Sequence, residues 1–238
     1  MRKIRKNCFE TNSSSTHAIV IPKKVKEERW SLYAYEWEQN YGFGREECRL
    51  VEYWNEKLAY IYLVLRDTLE EKDTITLNNF KLRVERLFNE VHSSFQFDCS
   101  KCLKPKDVFE YIDKENNYGN FVDHSAEIPK ELIERVLEDD DFLKRFLFNT
   151  DSYITIGGDE YRGYNIKGIG FEDDYDYKEH YYVDKYGKKP PEEWFDENGR
   201  IKDEYYKEYF ENYNVDAGGF WGKLNEYKKE NDVYLKGN

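Results

Sequence analysis

Leu50, Trp54, Leu58, Ile61, Leu65 and Leu69 recur every three or four residues, with charged side chains between them. That spacing returns to one side of a helix, so it predicts a long amphipathic helix with a single apolar stripe. Val51 and Tyr62 widen the stripe. Asp73 or Thr74 suits the cap of a second helix, in which Leu77, Phe80, Val84, Leu87, Phe88 and Val91 share one face. Two such helices joined by a few residues predict an antiparallel helical hairpin.

The rest of the chain must supply what this hairpin packs on. Ala18 to Ile21 is a short apolar run stopped by Pro22, and Tyr153 to Ile156 is another, ended by Gly157 and Gly158. Both predict short buried strands, and residues 121–124 predict a third. Trp30 to Tyr41 predicts an aromatic-rich helix. Phe95 to Cys99 alternates like a strand, and Pro105 opens a short helix. Pro129 suits a first helical position, and Phe142 to Phe148 predicts a further helical turn or two. The expected fold class is α+β: a helical hairpin plus further helices packed on a small β-sheet. After about residue 160 no long apolar pattern survives, and tyrosine alternates with acid. Residues 1–159 therefore predict the main domain. Residues 160–238 predict a Tyr/acid-rich extension packed on it through its rings, a single domain being the other reading. Within that extension Ile201 to Tyr213 predicts a helix, Val233 to Leu235 a last strand, and Phe220-Trp221-Gly222 an isolated aromatic cluster.

Composition narrows the class. With 22 Tyr and 15 Phe in 238 residues the chain is too aromatic to be disordered. The net charge is −12, and residues 151–238 carry −8 of it, whereas residues 1–29 hold eight basic side chains against three acidic. A negative excess of this size opposes direct nucleic-acid binding. No run approaches the length of a membrane span, and the basic start is followed by polar residues rather than an apolar signal core. Four cysteines without an export signal predict reduced thiols and a cytoplasmic location.

Chemistry is concentrated in Thr11-Asn12-Ser13-Ser14-Ser15-Thr16-His17. A serine becomes a nucleophile only with a base in hydrogen-bond reach, and a small polar turn also offers hydroxyls and amides to a phosphate. The same run reads as a capped turn feeding a strand, with a satisfied histidine. No Gly-rich phosphate loop or nucleophile elbow accompanies it. Asp123-His124-Ser125 is the second constellation. If it lies beside the first, Ser13, Ser14, Ser15, His17, Asp123 and His124 form a candidate catalytic set. Thr11, Asn12, Thr16, Ser125 and Asp159 are then candidate ligand-binding residues. As adjacent strand residues, Asp123 and His124 would face opposite ways and not pair. Cys99 and Cys102 are half of a C-x-x-C metal pair, the weaker alternative; no cofactor is indicated. The carboxylates of 172–176 and 192–197 stand among aromatics and suit imitation of a phosphate backbone, or simply a solvated face.

The run Phe9 to His17 resembles the start of a group of uncharacterised proteins of bacteriophages and low-GC Gram-positive bacteria. Val122-Asp123-His124-Ser125 and the stretch from Phe146-Leu147-Phe148 to Asp159 are similar to two later elements of that group, although here Ser125 follows His124 directly. The resemblance implies a phage or mobile-element accessory protein, and no particular activity. Two functions are expected from these features. One is binding or processing of a nucleotide or other phosphate-containing small molecule at the Ser/Thr/His site. The other is non-catalytic inhibition of a host nucleic-acid-processing or defence protein by charge mimicry.

Overall fold

The computed structural model describes residues 15–25, 29–34, 41–44, 49–69, 73–95, 103–114, 119–157, 164–171, 192–194, 202 and 220–236. Among them the fold is α+β, with six α-helices against a four-stranded antiparallel sheet. The sheet runs in the order β3 (Arg49–Val51), β5 (Tyr153–Gly157), β1 (Thr16–Pro22), β8 (Asn231–Lys236).

β1 is buried along its whole length because the sheet is covered on both faces. Alternate side chains of a strand point opposite ways. Ile19 and Ile21 join the main core with the helices, while Ala18 and Val20 pack with Tyr153, Ile166 and Leu224 on the other side. That double burial accounts for the unbroken apolar run Ala18 to Ile21. The second face is covered by the small hairpin of β6 (Asn165–Ile166) and β7 (Gly170–Phe171) and by the last helix, α6 (Phe220–Glu230). β8 then returns along β1, so the last described residues complete the central sheet.

α1 (Trp54–Thr68) is the central helix, and every residue from Trp54 to Leu65 is buried. The charged residues between its apolar positions are therefore not a solvent face. Glu56 is held by Arg49 at 2.6 Å, Asn55 Nδ2 donates to the Tyr41 hydroxyl at 3.3 Å, and Lys57 donates to two backbone carbonyls. α2 (Thr74–Ser93) is capped by Asp73, whose side chain accepts from the Thr76 amide at 3.1 Å. α2 buries Phe80, Val84, Leu87, Phe88 and Val91, and Phe88 meets Trp54 of α1 at a ring separation of 5.2 Å. α3 (Pro105–Asp113) and α5 (Asp140–Phe148) each pack against both long helices, and α4 (Lys130–Glu138) packs on α5.

Four expectations need correction. Leu50 belongs to β3, where it lies opposite Thr155 and is partly exposed; pairing with β5 wins over the helical period, and α1 starts only at Trp54. Residues 121–124 are not a strand of the main sheet. Phe121–Val122 (β4) pairs in parallel with Gly42–Phe43 (β2), and Asp123 and His124 form the turn that follows. Trp30 to Ala34 is not helical, since Trp30 bridges Asn149 and the Ser31 amide donates to the Phe148 carbonyl, which ties this segment to the end of α5. Pro129 is the residue before the first helical position of α4. Residues 35–40, 96–102, 201 and 203–213 lie outside the described residues, and with them the expectations for 35–40, 96–99 and most of the 201–213 helix.

Candidate functional site

The site is assembled by strand register. His17 lies opposite Lys236 in the β1–β8 ladder and opposite Ile156 in the β1–β5 ladder. Ser15 and His17 share the strand face of Ile19 and Ile21, toward α1, and Lys236 shares the face of Tyr234. Tyr60 of α1 meets His17 from that side, with ring centroids 5.6 Å apart. The two-residue β2–β4 pair delivers the last member, because the Asp123 amide donates to the Phe43 carbonyl at 2.8 Å. Gly44 makes this approach possible. Its φ is +148°, and a Cβ there would stand 2.3 Å from the Asp123 Cβ.

Four groups converge on this point. Ser15 Oγ lies 3.0 Å from His17 Nε2, donates to Asp123 Oδ2 at 3.1 Å and accepts from Lys236 Nζ at 3.0 Å. Lys236 also donates to the Ser15 carbonyl at 3.0 Å. His17 Nδ1 lies 2.8 Å from the Tyr60 hydroxyl. One proton arrangement satisfies every atom. A carboxylate only accepts, so the single hydroxyl proton of Ser15 goes to Asp123. The two lone pairs of Oγ then receive Lys236 and the Nε2–H of His17. Nδ1 carries no proton and accepts from Tyr60. Burial, with Lys236 and His124 nearby, holds the His17 ring well below its ordinary pKa, and burial pushes the Tyr60 hydroxyl well above its own. Both effects favour this neutral arrangement.

Ser15, His17 and Lys236 are buried, so the cluster meets solvent through the turn after β4. His124 sits there in the left-handed region at φ 46°, with about a third of its side chain exposed. Its Nε2 lies 3.7 Å from Asp123 Oδ1 and its Nδ1 3.2 Å from Glu127 Oε1. Asp123 and His124 thus approach each other, contrary to the strand-based expectation, because the turn removes the alternation. Burial lowers the pKa of Lys236, with Asp123 and Glu127 opposing.

The structure therefore joins Ser15, His17, Asp123 and His124. Thr16 is buried on the other face of β1, and Ser125 turns away to donate to Asp67 at 3.1 Å. Thr11, Asn12, Ser13, Ser14, Asp159, Cys99 and Cys102 lie outside the described residues, as does nearly all of 172–197. Among the described residues no group of three or more His, Cys, Asp or Glu is placed to hold a metal ion, and no helix is long and apolar enough to cross a membrane. Lys236 and Tyr60 were not foreseen. Neither carries a local motif, and Lys236 reaches Ser15 across 221 positions of sequence. Compared with protein-family models, curated proteins and solved structures, the chain matches none.

Proposed function

We propose that this protein is an enzyme acting on a phosphate-containing small molecule, a nucleotide being the natural class, with Ser15 as the nucleophile. The reading rests on one observation: a carboxylate and an amine from two distant segments, and an imidazole two residues along the chain, all bond to the Ser15 hydroxyl. Such convergence is what activates an otherwise weak alcohol.

The proposed roles differ from the expected ones. His17 is buried with both ring nitrogens engaged, so it orients Oγ rather than moving protons. Asp123 already accepts the hydrogen bond of the Ser15 hydroxyl and is the base. As Oγ bonds to phosphorus, that proton passes to Asp123, and the bond from phosphorus to the leaving oxygen breaks. Asp123 becomes neutral in this step, which removes a negative charge facing the phosphoryl oxygens. Protonated Lys236 offsets the charge that develops on them. His124, at the solvent side and next to Asp123, protonates the leaving oxygen; water then bonds to phosphorus and gives its proton to His124, while the bond from phosphorus to Oγ breaks and Asp123 returns its proton to Ser15. Ser15 is buried beneath Asp123 and His124, so the turn at 123–127 opens to admit the substrate.

Nucleoside mono-, di- and triphosphates and p-nitrophenyl phosphate should be screened for phosphate release. Asp123→Asn, which keeps the shape and removes the base, is expected to lower turnover by on the order of 10²–10⁴-fold. Absence of both turnover and saturable binding across the panel, with wild-type protein shown folded by circular dichroism, overturns the reading.

A further inference from the structure

A cavity of about 210 Å³ lies away from the Ser15 cluster, between the 31–34 segment, the start of α1 and the end of α5. Tyr33, Tyr53, Trp54 and Phe148 provide aromatic walls, and Lys57 and Asn149 line the cavity with them. Tyr33 is 71% exposed, and its ring lies 5.6 Å from that of Tyr53, tilted by 46°.

The polar groups there are incompletely matched. Lys57 is 1% exposed and makes no ion pair among the described residues. Its Nζ donates to the carbonyls of Asn149 at 3.1 Å and Ser152 at 3.0 Å. An ammonium has three donors, so one is left over among the described residues. Asn149 is also 1% exposed. Its Oδ1 accepts from the Asp151 amide at 2.7 Å, but its Nδ2 has no partner among the described residues. A buried donor without an acceptor costs free energy and is rare in a folded protein. The nearby carbonyls are already engaged, that of Phe148 by the Ser31 amide and that of Asn149 by Lys57.

We propose that this cavity binds a small aromatic carboxylate, its ring between the tyrosines and Trp54, its two oxygens accepting from Lys57 Nζ and Asn149 Nδ2. Two donors on neighbouring groups suit the two oxygens of a carboxylate. Glu52, which also lines the cavity, disfavours a doubly charged phosphate. The aromatic walls suit a flat ring.

Benzoate is the probe, titrated at about pH 6 by isothermal calorimetry, with benzyl alcohol as the neutral counterpart of similar shape. The expected result is saturable benzoate binding at least tenfold tighter than that of benzyl alcohol, together with a shift of the Asn149 side-chain amide signal in NMR spectra. Lys57→Met should abolish the preference for benzoate, and Tyr33→Ala, at an exposed position, should weaken both ligands. Benzoate binding no tighter than benzyl alcohol overturns the proposal, as does an unmoved Asn149 amide signal at saturating benzoate. Both of these readouts use the wild-type chain and stand even if Lys57→Met fails to fold.

Discussion

Lys57→Met should change how stability depends on pH. Burial pushes the Lys57 amine from its ordinary 10.5 down to about 7, Glu52 acting weakly in the opposite direction. Between these two values the folded chain holds Lys57 neutral while the unfolded chain holds it protonated. The unfolded state then binds one more proton, so stability rises with pH, by about 1.4 kcal/mol per pH unit. From about pH 7.5 to about pH 9.5 the wild-type chain should gain about 3 kcal/mol relative to Lys57→Met. Lys236, lowered in the same direction, contributes to both chains and cancels in the comparison. The variant also leaves the Asn149 and Ser152 carbonyls without their donor, a penalty of about 1–3 kcal/mol for each. That penalty displaces the variant's curve without tilting it. Urea denaturation of both chains across this range measures the difference directly. A pH-independent difference, or one that shrinks as pH rises, refutes the argument, because it would mean that the carbonyls and Glu52 hold Lys57 as a cation.

Two further substitutions test how the Ser15 cluster is built. Tyr60→Phe removes the donor to His17 Nδ1 and leaves a buried acceptor unpaired, a cost of about 1–3 kcal/mol; thermal unfolding should register it, and a variant as stable as wild type contradicts the assigned proton arrangement. Gly44→Ala forces a Cβ against Asp123 at a backbone conformation that costs of order 1–3 kcal/mol for other residues, and any phosphate-releasing activity should fall with stability; full activity in this variant would show that Asp123 need not stay on Ser15.

The sequence made the helices more legible than the sheet. The periodic run Leu77 to Val91 faces the core as its spacing predicts, because α2 has one solvent side and one packed side. α1 hid its situation, since Asn55, Glu56 and Lys57 read as solvent-facing when they are buried and bonded to Tyr41, Arg49 and backbone carbonyls. Leu50 fitted the helical stripe and yet lies in β3, because pairing with a distant strand has no local signature. The same holds within the site. Ser15 and His17 announced themselves by composition, and Asp123-His124 by adjacency. Their meeting depends on β2–β4 pairing and a left-handed turn at His124, and Lys236 depends on the register of a strand more than 200 residues away.

The central claim is that Ser15 is a nucleophile poised between Asp123 and Lys236. Its most direct test is the intact mass of the chain after incubation with p-nitrophenyl phosphate and an acid quench. The account predicts a fraction of chains carrying one phosphoryl group, located on Ser15 by peptide mapping and absent from Ser15→Ala. Phosphate release with an unmodified Ser15, or a phosphoryl group that persists in Ser15→Ala, would contradict it.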